Sequence, residues 1–152
     1  MTKKRFGLLV LLCQASLCVA STSHSLTLQL DQLRSAEGHI RLALYAASAP
    51  DWQAEPLRLA EIAASGQDDQ GRLLYQLQDL PAGDYAIRLY HDENGNGQLD
   101  RNAQGIPLES FAFSGRWPPE VIIPLPAQAA FAVPVDGPLV LSLLHPQTAQ
   151  HP

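Results

Sequence analysis

The chain has 152 residues, 46% hydrophobic and 16% charged, with 10 glycines and 12 prolines, a balance apolar enough to build one core and too varied for a disordered or repetitive polymer. Its length fits a single modest domain and excludes large multidomain mechanisms. The formal charge of −5 repels phosphate backbones and anionic lipid, so no nucleic acid is expected among its partners and cations are favoured.

Residues 1–20 read as a signal peptide: Lys3, Lys4 and Arg5 form a basic start, residues 6–12 an apolar run, and Cys18-Val19-Ala20 a small-residue cleavage site. This order predicts a periplasmic or secreted protein. The apolar run stops short of the about 20 residues of a membrane helix, so no integral membrane span is expected. Leu17 before Cys18 and Leu12 before Cys13 stand where lipid attachment needs a small residue. Cleavage removes both cysteines, leaving no disulfide and no thiolate chemistry. It also removes three basic residues and no acid, moving the formal charge from −5 to −8.

From residue 25 to 144 the pattern predicts one β-sandwich domain. Leu26, Leu28 and Leu30 alternate with Thr27, Gln29 and Asp31, and after Glu37-Gly38 the residues Ile40, Leu42 and Leu44 are set against His39, Arg41 and Tyr45; period two marks half-buried strands. Residues 50–56 read as loop, and 57–64 fit either a strand or a short helix. Asp68-Asp69, between Gly66 and Gly71, reads as a solvated turn. Leu73, Tyr75 and Leu77 lead through Asp79-Leu80-Pro81-Ala82-Gly83-Asp84 into Tyr85, Ile87 and Leu89, which predicts a β-hairpin. Residues 121–123 read as a short strand. Phe131, Val133 and Val135 turn through Asp136-Gly137-Pro138 into Leu139, Leu141 and Leu143 as a second hairpin, with Pro134 placing its strand at an edge. Residues 145–152 read as a disordered tail. About seven or eight strands with no helical crossover make an all-β chain, a single β-sandwich of immunoglobulin-like or prealbumin-like type.

One motif carries chemistry. Asp92-Glu93-Asn94-Gly95-Asn96-Gly97-Gln98-Leu99-Asp100 matches the first nine positions of the EF-hand loop, with oxygen ligands at positions 1, 3 and 5 and glycine at 6. A hard cation takes six to eight oxygens, and a loop coiling around it turns alternate side chains inward. Asp92, Asn94 and Asn96 are therefore the expected side-chain ligands, Gln98 supplies a backbone carbonyl, Asp100 binds directly or through water, and Leu99 anchors to the core. The twelfth position is Ala103 instead of the bidentate glutamate, so the closing ligand comes from elsewhere: Glu109 is the candidate and Asn102 the second. With few charged ligands, Ca²⁺ binding is expected to be weak, about 10⁻⁴ to 10⁻³ M. The competing reading is a bare type I′ turn at Asn94-Gly95 or Asn96-Gly97, which explains neither the doubled Asn-Gly nor the flanking acids.

His91 shares the inward parity of Ile87 and Leu89 and reads as a core-end histidine; its alternative is a general base beside the metal in a small metal-assisted hydrolase, although no nucleophile motif accompanies it. Trp52 and Trp117 sit in proline-rich loops, where they seal the sandwich or stack on a sugar.

Leu80-Pro81-Ala82-Gly83-Asp84-Tyr85-Ala86, the 91–100 block, and Gly105-Ile106-Pro107 with Glu109 and Phe113-Ser114 together resemble an exported bacterial family, domain of unknown function 2141, over roughly residues 38–143. The family pattern has Gly before the Phe-Ser pair and Asn after it, where this chain has Ala112 and Gly115. The resemblance implies a compartment and a loop but no reaction. The leading expectation is a non-enzymatic calcium-binding sandwich with an adhesion, scaffolding or ligand-binding role and an unknown protein or carbohydrate partner.

Overall fold

The computed structural model describes residues 22–118 and 121–146, so the expected signal peptide and the end of the expected tail lie outside the described residues. Eight strands are found among the described residues: β1 (Ser23–Asp31), β2 (His39–Ala46), β3 (Arg58–Ala63), β4 (Leu73–Pro81), β5 (Gly83–Asp92), β6 (Phe111–Phe113), β7 (Phe131–Val133) and β8 (Leu139–Ser142). Among the described residues the one helical element is a 3-10 turn at Ala64–Gly66, and no helix is long and apolar enough to cross a membrane.

The strands form a three-stranded sheet in the order β4-β1-β8 and a five-stranded sheet in the order β3-β2-β5-β6, with β7 also paired to β5. β1 runs antiparallel to β4 and parallel to β8. β5 organises the larger sheet. It pairs with β2 from His39 opposite Asp92 to Ala46 opposite Tyr85, while its other edge holds β7 at one end and β6 at the other. The period-two leucines then do what their spacing dictates: Leu26, Leu28 and Leu30 of one sheet meet Ile40, Leu42 and Leu44 of the other in a single buried cluster, completed by Ile87, Leu89 and Leu141. The chain is a β-sandwich.

Both expected hairpins are instead crossings between the sheets. β4 pairs with β1 while β5 pairs with β2, and β7 pairs with β5 while β8 pairs with β1. The apolar alternation that suggested hairpins is shared by both inner faces of a sandwich, so it identifies inward residues without saying which sheet carries them. The first crossing is held by Tyr85, whose hydroxyl donates to the Pro81 carbonyl at 2.9 Å, the tyrosine-corner geometry of immunoglobulin-type sandwiches. β7 does lie at an edge, ahead of Pro134. The ambiguous 57–64 segment resolves as β3 followed by the 3-10 turn. Residues 121–123 form no strand, and Ile122 and Ile123 are exposed. His145, assigned to a loose tail, is tied by its Nδ1 to Ser110 Oγ at 2.7 Å.

The larger sheet has a partial third layer on its outer face. Tyr45, expected to face solvent, is buried with Ala43, Ala86 and Ala129 beneath Trp52. Trp52 packs edge-on to Tyr45 at 5.2 Å and against Phe113 at 5.1 Å, and its Nε1 donates to the Pro124 carbonyl at 2.6 Å. Trp52 therefore seals the fold and is not free to stack on a sugar. Ser114 secures the same layer, accepting the Ile87 N–H at 2.8 Å and donating to the Ala129 carbonyl at 2.6 Å. Gly115 beside it has φ +78°, and a Cβ there would lie 2.7 Å from the Ala129 carbonyl carbon, so a side chain at this position would have to displace that backbone.

Candidate functional site

β5 delivers Asp92 to the rim of the sandwich fully buried, and the chain then coils back over it. Asp92 Oδ1 accepts the Asn96 N–H at 3.0 Å, and Oδ2 accepts the Gly97 N–H at 2.8 Å. Asn94 Oδ1 accepts the Asn96 N–H at 3.0 Å and Asn96 Oδ1 the Gln98 N–H at 2.8 Å. Short polar side chains that bond two residues ahead force this tight winding, and Gly95 and Gly97 supply the positive φ it needs, +72° and +79°. Tyr90 braces the loop from the strand, its hydroxyl donating to the Gly97 carbonyl at 2.9 Å.

Asp100 closes the coil from the opposite side. Its carboxylate accepts Asn94 Nδ2 at 2.7 Å and Asn96 Nδ2 at 3.0 Å. Glu109 folds back toward the loop: it is buried, and its Oε2 accepts the Asp100 N–H at 3.1 Å. Its other oxygen, Oε1, is buried without a hydrogen-bond partner. Burial pushes the Glu109 carboxyl pKa up, and the charges of Asp100 and Asp92 add to the push, against the N–H groups of Asp100 and, more weakly, Glu93. Asp92 shows the opposite balance. Burial works to raise its pKa, but the Gly97 N–H, the Arg41 guanidinium and the Asn96 N–H together hold it below the ordinary aspartate range.

The structure thus brings Asp92, Asn94, Asn96, Asp100 and Glu109 together. Gln98, expected to offer its carbonyl, is tied to the loop by its N–H, a donor that cannot ligate a cation, and its side chain is exposed. Asn102, the second closing candidate, is spent on its own turn, accepting the N–H groups of Gln104 and Ile106 at 3.0 Å each. Among the described residues no three His, Cys, Asp or Glu side chains are drawn together tightly enough to form a metal centre. Any cation there would have to compete with the three hydrogen bonds that the Asn94 and Asn96 amides give to Asp100.

Arg41 is the neighbour that sequence reasoning missed. Its Nε donates to Asp92 Oδ2 at 3.1 Å and its other end pairs with Glu61. Only the β2–β5 register brings a residue 51 positions away onto the loop; its outward parity was the one available signal. Gly38 is a second omission. A Cβ there would lie 2.0 Å from the Asp92 carbonyl oxygen and 2.7 Å from Glu93 Cα, so β2 begins in direct backbone contact with the loop entrance.

His91 is fully buried, with Nε2 2.8 Å from the Glu37 carbonyl and Nδ1 3.6 Å from Glu93 Oε1. That is the core-end histidine, closed off from any substrate in this arrangement. Ser110 and His145 form a Ser–His pair that no sequence spacing announced, but Ser110 is itself buried, and a nucleophile must reach its substrate. The pair pins the C-terminal segment, as does the Phe111–Leu144 bridge.

No curated protein and no solved structure matches the chain. A family model does, over residues 28–138, starting and ending somewhat earlier than the motif blocks suggest. On that match the chain belongs to DUF2141, described as an uncharacterized protein conserved in bacteria.

Proposed function

We propose that this protein is an exported, calcium-binding β-sandwich that works by binding rather than by catalysis, with the ion ordering residues 92–109 to support an adhesion, scaffolding or ligand-binding surface. The observation that carries the reading is Glu109: a side chain from outside the nine-residue loop is buried beside its acids, with one carboxylate oxygen left without a partner. Burying a half-satisfied carboxylate beside two others is costly and is relieved by a proton or by a cation; of the two, a divalent cation serves all three acids at once. The same geometry supports weak affinity, since Arg41 already neutralises part of Asp92 and the Asn amides already hold Asp100. The leader-like order of residues 1–20 supports export. The burial of His91 and Ser110 supports binding over hydrolysis.

Calcium that binds the folded state alone adds RT ln(1 + [L]/Kd), about 1.4 kcal/mol at ten times Kd, or a few degrees in Tm. Calorimetric melting in EDTA and in excess calcium tests this. Wild type should melt higher with calcium. Asp92→Ala should abolish the shift, Glu109→Ala should weaken it, and Glu93→Ala should leave it nearly intact. Identical melting of wild type in both conditions would reduce the loop to a turn.

A further inference from the structure

The outer face of the five-stranded sheet, beyond the part covered by Trp52, holds a groove of about 550 Å³, a volume typical of small-molecule sites. The sheet contributes Ala43, Leu59, Phe111 and Phe113, and two loops contribute Leu99 and the pair Ile122-Ile123. Leu59 and Ile122 are 71% and 72% exposed, so this is open apolar surface. The charge in it is lopsided. Among the described residues, Arg41, Arg88 and Arg101 line it against one carboxylate, Glu61, although the chain as a whole is acidic.

Two of the three arginines are committed. Arg41 is paired with Asp92 and Glu61, and Arg101 Nη1 donates to the Gly105 carbonyl at 2.8 Å. Arg88 lies with its Cζ 5.5 Å from the centre of the Tyr45 ring, and among the described residues its guanidinium has neither a carboxylate nor a hydrogen-bond acceptor. Stacking on the ring holds the guanidinium while leaving its N–H groups available, which suits an oxyanion that can take two of them at once.

We propose that this groove binds a small amphipathic anion, an apolar or aromatic body bearing one carboxylate or sulfonate, with the anion on Arg88 and the body against Leu59, Phe111, Phe113 and the Ile122-Ile123 pair. A neutral apolar ligand leaves the Arg88 guanidinium unmatched, and a cationic one is repelled by it and by Arg101. The inference rests on the reading of the domain as a binding module, and it does not require calcium.

The test uses two probes of nearly the same body: 8-anilinonaphthalene-1-sulfonate and its uncharged counterpart N-phenyl-1-naphthylamine. Each is titrated by fluorescence into the purified protein in EDTA and in excess calcium, with sedimentation at the same concentrations. The sulfonate should saturate one site and bind about tenfold or more tighter than the neutral probe, the scale of one charge-assisted contact. Arg88→Gln should remove that advantage and leave the neutral probe's affinity unchanged, with Arg88→Lys intermediate. Ile122→Asp, at an exposed position, should weaken both probes. Unsaturable binding, equal affinity for the two probes, or no loss in Arg88→Gln, Arg88→Lys and Ile122→Asp overturns the proposal, as does self-association that excludes both probes. A calcium-dependent rise in Tm without saturable probe binding overturns the groove alone, whereas saturable binding without a calcium response overturns the metal reading alone.

Discussion

Tyr85 and Asp68 each hold a turn through one polar side chain, and they differ in how they respond to conditions. The Tyr85 hydroxyl bonds the Pro81 carbonyl across the first crossing between sheets. Tyr85→Phe keeps the ring packed on the core and deletes the bond, so it should cost about 1 kcal/mol, read as a Tm lower by a few degrees with the calcium response unchanged. Asp68 accepts the N–H groups of Gln70 at 2.9 Å and Arg72 at 3.0 Å and pairs with the Arg72 guanidinium. The Arg72 N–H and side chain hold its carboxyl below the ordinary value of 3.8. A carboxyl depressed on folding stabilises above its unfolded pKa and loses that contribution as pH falls through the folded value. The Tm difference between wild type and Asp68→Asn should therefore be fully present above the ordinary aspartate pKa and shrink as pH falls below it; a difference independent of pH would show that charge is not involved.

At the scale of elements, the start of β2 and the end of β5 act together, because Gly38 lies against the backbone of Asp92 and Glu93. Its φ of +69° disfavours any side chain, and a methyl group would meet backbone atoms that cannot swing aside. Gly38→Ala should destabilise by more than about 2 kcal/mol and should also shrink the calcium-dependent rise in Tm, since Asp92 moves with its own carbonyl. Destabilisation with a full calcium response would show that the loop is independent of this contact. The β2–β5 register also sets Arg41 opposite Tyr90 and hence beside Asp92, so one strand pairing supplies both the groove's floor and a charge for the Asp92–Asp100 loop.

Across the whole molecule, stability rests on the shared core and not on the outer surfaces. Leu28 is completely buried at the centre of the three-stranded sheet, between β4 and β8. Leu28→Ala should lose about 2 to 5 kcal/mol, measured by denaturant unfolding. Leu74→Ala, on the 66% exposed outer side of β4, should change stability by less than about 0.5 kcal/mol. Comparable losses would mean that the exposed face of that sheet is covered in solution.

Alternation of leucines along β1 and β2, the short turns and the lack of helical periodicity were enough to determine an all-β chain, its inward residues and the Asp92–Asp100 loop, because each is a local property of spacing. Glu109 was also legible, since a missing twelfth ligand directs attention to the next acid. Strand partnership was not. Both inner faces of a sandwich bear the same pattern, so 73–89 and 131–143 read as hairpins although each crosses between sheets. Local pattern also missed what depends on contacts between distant segments: the burial of Tyr45 beneath Trp52, the exposure of Ile122 and Ile123, the Arg41–Asp92 pair and the apolar groove around Arg88. Those features exist only where strand register brings remote residues together, and register is set by packing free energy summed over the whole sheet rather than by any one segment.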